Sequence, residues 1–290
     1  MLFCTVFMMY PRAEVSAKRI EEVFNLDPII KNKPADSDFD EKVSIEFDHV
    51  TFVYPDGEEP VLQDVSFKAN KGEMIAFIGS TGSGKSTLVN LVPRFYDVSS
   101  GSIKINGKDI RDYDVLELRD KLGVIPQKAV LFSGTIADNI RFGKKDASDE
   151  EVEYAAKVAQ AYPFIMEKEN GFDEEISEGA TNVSGGQKQR LSIARALVRK
   201  AQIYIFDDSF SALDFKTDAI LRKELKKEMT ESIMLVVAQR ISSIMEADQI
   251  IVLNEGKVVG KGTHHQLLKE CQIYHEIATS QLSEEELANA

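Results

Sequence analysis

Cysteine is scarce in this chain, and long apolar runs are missing. The two cysteines among 290 residues, Cys4 and Cys271, are too few for a disulfide framework and read as reduced thiols of a cytoplasmic protein. The apolar start, "MLFCTVFMMY", has about half the length a bilayer-spanning helix needs, and no basic region precedes it as in a signal peptide. Positive charge is also in deficit. Lys and Arg number 35 against 48 Asp and Glu, a formal net charge of -13. This argues against a general nucleic-acid binder, because clustered basic residues are what neutralise a phosphate backbone. Any phosphate bound here must be held locally. The remaining composition, 43% hydrophobic and 29% charged, suits a globular chain of one large or two modest domains.

The segment "PRAEVSAKRIEEVFN" sets Val15, Ile20, Val23 and Phe24 near one helical face between charges, which predicts an amphipathic helix, whether or not it packs on its own domain. "LDPIIKNKPADSDFDEK" mixes Pro, Asp and Lys without period and reads as a linker, so a globular domain is expected from about Val43. "VSIEFDHVTFVY" alternates as a half-solvated antiparallel strand does, and "VLQDVSFKA" is a candidate partner. "EMIAFIG" is nearly all apolar, as expected of a parallel strand covered on both faces.

It runs straight into "GSTGSGKSTLVNLV". Gly79, four residues, then Gly84, Lys85 and Ser86 match the phosphate-binding P-loop between a strand and a helix. The alternative, a merely flexible Gly/Ser loop, leaves the lysine, the hydroxyl and the helix unexplained. From Gly79 through Ser80, Thr81, Gly82, Ser83 and Gly84 to Thr87, backbone N–H groups and a helix N-terminus would face phosphate oxygens. Lys85 would reach the β- and γ-phosphates, and the Ser86 hydroxyl would ligate Mg²⁺. "IYIFDDSFSALD" then supplies a buried strand ending in Asp207, expected beside the P-loop strand and directed at Mg²⁺. Asp208 follows, placed to address the water that attacks the γ-phosphate.

"NVSGGQKQRLSIARAL" resembles the signature of ABC ATPases, and the resemblance extends from about Val43 to about Ser280. It implies an α/β P-loop NTPase fold with a RecA-like core, an antiparallel β subdomain and an α-helical subdomain at about 128–200. It also implies ATP and Mg²⁺ as ligands, and two nucleotide-binding domains closing head to tail. In that arrangement Ser184, Gly185, Gly186 and Gln187 would meet the γ-phosphate held by the other chain, from the N-terminus of a helix expected at about Gln187 to Arg199. Ser184 also suits a helix cap. Tyr54 stands where the family stacks an aromatic ring on adenine, although a strand-end core tyrosine is the plainer reading. Gln127, in "IPQKAVLFSGTIADNI", matches the Q-loop glutamine, a contact to Mg²⁺ and the attacking water. "SALD", ending at Asp214, matches the D-loop, and Glu178 resembles an acidic contact of exporter-type members to their membrane partner, with "GA" departing from the usual order.

Two catalytic positions depart from the family. Its hydrolysing members carry Glu after the metal-directed Asp and a His after the next strand; here these are Asp208 and Gln239. Shortening Glu by one methylene withdraws the carboxylate by about 1.5 Å, and a displacement of about 1 Å can cost on the order of 10²-fold in rate. Glutamine donates a hydrogen bond but carries no proton or charge of an imidazolium. With the signature intact, these departures suggest one half of a heterodimeric exporter, its own site slow and its signature completing a partner half-transporter's site. A homodimer using Asp208 as base is the alternative, and a soluble ATP-gated clamp is a second, though the chain has no coiled-coil insertion or basic tail.

"RAEVSAKRIEEVF" resembles the cytoplasmic extension of an exporter's last transmembrane helix. The expected division is therefore a helix stub with its extension at 1–26, a linker at 27–42, the nucleotide-binding domain at 43–280 and an acidic tail at 281–290. On this reading the chain lacks its membrane domain and works at the cytoplasmic face of the cell membrane. His264 and His265 are expected to diverge on a helix capped by Thr263, so no metal other than Mg²⁺ is implied.

Overall fold

The computed structural model describes residues 2–34, 43–283 and 287. Parts of the expected linker and of the acidic tail lie outside these residues. The chain divides into two compact units, residues 1–32 and 33–290. In the first unit a single helix, α1 (Leu2–Phe24), runs through Pro11 and joins the apolar start to the amphipathic stretch that follows. Val15, Ile20, Val23 and Phe24 are all exposed. No helix among the described residues is long and apolar enough to cross a membrane.

The second unit opens with two long antiparallel strands, β1 (Ser44–Phe52) and β2 (Leu62–Asn70). They pair as the alternating pattern predicts, and β4 (Ser100–Ile105) and β5 (Lys108–Asp109) extend them to a sheet of order β2-β1-β4-β5. Between them β3 (Met74–Gly79) leads into α2 (Lys85–Leu91), while α3 (Val115–Asp120) precedes β6 (Leu122–Ile125). A short pair, β7 (Gly134–Thr135) and β8 (Glu175–Ile176), brackets α4 (Ile136–Arg141), α5 (Asp149–Val158) and α6 (Tyr162–Met166). Helix α7 (Gly185–Leu197) then returns the chain to β9 (Ile203–Asp207), followed by α8 (Phe215–Glu228) and β10 (Ile233–Val237). Strands β11 (Gln249–Asn254) and β12 (Lys257–Gly262) and helices α9 (His264–Glu270) and α10 (Gln272–Gln281) complete the unit.

The central sheet has the order β12-β11-β3-β10-β9-β6, parallel except for β12. The strand carrying Asp207 is therefore not the neighbour of the P-loop strand, because β10, which comes later in the chain, is inserted between them. The near-continuous apolar strands serve two cores at once. Ala76, Ile78, Tyr204, Phe206 and Val236 pack with the helices on one face, while Ile75, Phe77, Ile205 and Leu235 pack with α2 and the antiparallel sheet on the other. Period-two side-chain placement makes such two-sided burial possible only when every strand position is apolar.

Helix α7 starts at Gly185, two residues before the expected position. Ser184 caps it: its Oγ accepts from the Gln187 N–H at 3.3 Å while Gln187 Oε1 accepts from the Ser184 N–H at 2.9 Å. This reciprocal cap lets the two glycines form the first turn in spite of their poor propensity.

Gly143, just after α4, sits where an added Cβ would lie 1.9 Å from the Arg195 carbonyl of α7. Gly143→Ala is expected to separate these helices and lower stability by about 1–3 kcal/mol, the usual cost of forcing extra volume into a packed contact. Urea unfolding checks this, and an unchanged midpoint would show that the contact yields freely.

Candidate functional site

The register of the central sheet gathers the chemistry. Val237 of β10 lies level with Phe77 of β3 and Asp207 of β9, so the loops leaving the three parallel strands emerge side by side at their carboxyl ends, where open α/β sheets hold ligands. These loops carry Gly79 to Ser86, Gln239 and Asp208.

At the end of β3 the chain passes so close to β11 that a Cβ on Gly79 would lie 2.0 Å from the Leu253 carbonyl oxygen. Gly84, the N-cap of α2, has φ 95°, a left-handed conformation that glycine adopts without penalty. The loop curls tightly between these points. Lys85 is buried at 9% exposure, and its Nζ donates to the carbonyls of Gly79 (2.9 Å) and Ser80 (2.7 Å) and to Ser83 Oγ (3.2 Å). Burial pulls the ammonium below the ordinary lysine range, opposed by the charges of Asp208 and Asp207.

Ser86 Oγ donates to Asp207 Oδ1 at 2.8 Å. Burial raises the Asp207 carboxyl above its usual range; the Ser86 bond opposes this, and the neighbouring Asp208 charge adds to it. Asp208 is buried and has φ 48°, unusual for a residue with a side chain. Its Oδ2 accepts from Gln127 Nε2 at 3.0 Å and from Gln239 Nε2 at 2.7 Å. Burial raises this carboxyl as well, against the Gln127 and Ser211 hydrogen bonds. The three positions proposed for hydrolysis therefore meet on one carboxylate oxygen.

A cavity of about 720 Å³ opens over the loop, lined by Gly79–Gly82 and Gly84–Thr87 together with Gln127, Asp208 and Gln239. Its volume falls in the range of small-molecule sites, about 300–1,000 Å³. The residues present fit a magnesium nucleotide. Gly82 has open space where a Cβ would sit, Lys85 supplies a desolvated cation, and the Ser86 and Asp207 oxygens are the hard donors that Mg²⁺ prefers.

The other expected residues are placed differently. Tyr54 is half-buried and does not line the cavity; its hydroxyl pairs with Thr87 Oγ1 at 3.0 Å, and its ring packs edge-on against Phe52 and Tyr96. Ser184 and Gly185 are exposed and also stand outside the lining, with nothing within 4 Å of a Cβ built on Gly185. Glu178 is exposed on a short helical turn. His264 is buried, with its Nδ1 2.6 Å from the Tyr274 hydroxyl. Sequence reasoning missed the wall that α10 contributes to the cavity through Ile273, Glu276, Ile277, Ser280 and Gln281. The apolar period of "IYHEIATSQ" marks a packed face, but nothing local says what it packs beside.

A family model described as ABC transporter matches residues 62–211, just over half of the chain. The chain belongs to the ABC transporter family. This ABC ATP-binding domain is 44% identical over 276 residues to an uncharacterized ABC transporter ATP-binding protein of Mycobacterium tuberculosis, covering 93% of the chain and 47% of that relative. It is 43% identical over 286 residues to the ABC transporter ATP-binding protein YfiB of Bacillus subtilis, covering 98% and 49%. A putative multidrug export ATP-binding/permease protein of Staphylococcus aureus is 44% identical over 237 residues, covering 82% and 41%. The chain thus spans about half the length of the curated relatives it matches. The solved structure of a bacterial Atm1-family ABC exporter with ATP bound superposes with a TM-score of 0.89 at 34% identity, over 97% of this chain and 49% of that one. The P-loop NTPase fold of an ABC ATPase, with its antiparallel sheet, is the fold of this domain.

Proposed function

We propose that this ABC ATP-binding domain drives an exporter from the cytoplasmic face of the membrane. It does so by closing head to tail, in the presence of MgATP, on the nucleotide-binding domain of a second and different half-transporter. Residues 43–280 form the nucleotide-binding domain, with about 128–200 as its helical subdomain, and 1–26 form the stub of a last transmembrane helix and its cytoplasmic extension. The convergence of Gln127, Gln239 and a shortened carboxylate on one oxygen, Asp208 Oδ2, carries the proposal.

Lys85 would neutralise and orient the β- and γ-phosphates, and Ser86 with Asp207 would hold Mg²⁺, with Gln127 completing its surroundings. Mg²⁺ supplies charge neutralisation on the phosphoryl group when bound. Asp208 is the group available to orient the attacking water and take its proton. Its Oδ2 already accepts from two neutral amides, and its reach is a methylene shorter than that of glutamate, so it is a poor base here. Gln239 can donate to a γ-phosphate oxygen but cannot return a proton. The site holds ATP better than it cleaves it. The exposed Ser184 and Gly185, which do not line the chain's own cavity, are free to serve a second ATP.

The isolated domain is expected to bind MgATP saturably and to turn over below about 0.1 s⁻¹, beneath the roughly 1–10³ s⁻¹ of ordinary enzymes. Fluorescent-nucleotide titration and phosphate release test both halves. Absent binding overturns the phosphate cradle, and several turnovers per second overturn the slow site.

A further inference from the structure

Helix α10 ends on a residue that reaches back to the loop after β10. The side-chain amide of Gln281 grips that loop at two points: its Oε1 accepts from the Ile241 N–H at 2.8 Å, and its Nε2 donates to the Gln239 carbonyl at 2.9 Å. Between these two backbone groups lies one residue, Arg240, and the gripped turn is the one that carries the Gln239 side chain to Asp208. A primary amide sets an acceptor and donors on one rigid plane, so the span between Gln239 and Ile241 is fixed by covalent geometry once both bonds form. The anchor is firm at both ends. Tyr274 and Ala278 of α10 and Ile241 of the turn are fully buried in one cluster, and the Tyr274 hydroxyl meets His264 Nδ1 of α9. Gln281 also lines the nucleotide cavity.

We propose that Gln281 is a positioning residue for Gln239: the last turn of α10 clamps the 239–241 turn and so aims the Gln239 amide at Asp208 and the γ-phosphate position. This role rests on the reading of Gln239 as the γ-phosphate contact. It makes the C-terminal helix part of the hydrolytic apparatus. A shift of α10 withdraws Gln239 while leaving Lys85, Ser86 and Asp207 in place, so ATP remains bound as turnover falls.

Two readouts test this in the full chain. In the nucleotide-free protein, Gln281→Ala is expected to speed amide exchange at Ile241 by about tenfold, the size of one lost hydrogen bond, with exchange in β3 unchanged. Under saturating MgATP, single-turnover hydrolysis should fall by a similar factor in Gln281→Ala with nucleotide affinity kept, and Gln281→Glu, which sets a carboxylate against the Gln239 carbonyl, should not rescue it. In the Gln239→Ala background the second substitution should add nothing, since groups acting through one another are not additive. Unchanged exchange at Ile241, or a loss that adds in full to that of Gln239→Ala, overturns the positioning role alone. Unchanged turnover in Gln239→Ala, with Ile241 exchange still raised by Gln281→Ala, instead overturns the reading of Gln239, and the role of Gln281 falls with it.

Discussion

Lys85→Ala is expected to weaken MgATP binding by about 100-fold, the loss of one or two charge-assisted hydrogen bonds of about 1.5–3 kcal/mol each. Lys85 is already buried, at 9% exposure, and its ammonium is held by three oxygens of its own loop, so little desolvation remains to be met when phosphate oxygens replace those acceptors. Alanine removes the cation and leaves the rest of the loop, whose path is set by Gly79 and Gly84. The control is Lys200→Ala. Lys200 has a side chain 70% exposed and an ion pair to Glu151, and a surface change of this kind stays within about 0.5 kcal/mol. Fluorescent-nucleotide titration compares the two, with thermal unfolding to show that both variants fold. Equal losses would remove Lys85 from the site.

What the sequence made legible follows from how local each determinant is. The P-loop could be read because one short stretch holds the strand, the glycines, the lysine and the hydroxyl, and its geometry depends little on the rest of the chain. β3 could be read as doubly covered because alternate residues enter two different cores, which forbids polar residues in it. Strand order could not be read. Nothing near Asp207 reveals that β10, formed some thirty residues later, slips between β9 and β3. Helix α1 runs unbroken past Pro11; the proline's missing N–H costs one hydrogen bond, which the turns on either side outweigh here. The glycines that mask the start of α7 are rescued by a side-chain cap, a contact that propensity does not count.

For the site, residue types pointed to the cavity, but partners had to be seen. The meeting of Gln127 and Gln239 on one oxygen of Asp208 depends on three loops brought level by sheet register. The contribution of α10 depends on tertiary packing alone, so a polar residue such as Gln281 at a helix end carries no local mark of its role. Tyr54 shows the converse: its position suits a stacking ring, and in this structure its hydroxyl is tied to Thr87 and its ring to Phe52 and Tyr96.

The proposed division of labour between the two ATP sites is tested most directly by steady-state ATPase activity of the reconstituted two-chain transporter carrying either Gly185→Asp or Asp208→Asn in this chain. Gly185 is exposed on the first turn of α7, with open space around it, so an aspartate there is accommodated in the isolated domain. In the closed dimer it sets a negative charge against the partner's γ-phosphate and cancels the favourable helix N-terminus. Activity is expected to fall by about 100-fold or more, as when a catalytic contact is displaced. Asp208→Asn leaves an amide in a site that mainly holds ATP, and activity is expected to stay within a fewfold of the parent. In a homodimer every site contains both residues and both substitutions are comparably severe. A loss of about 100-fold with Asp208→Asn would contradict the account.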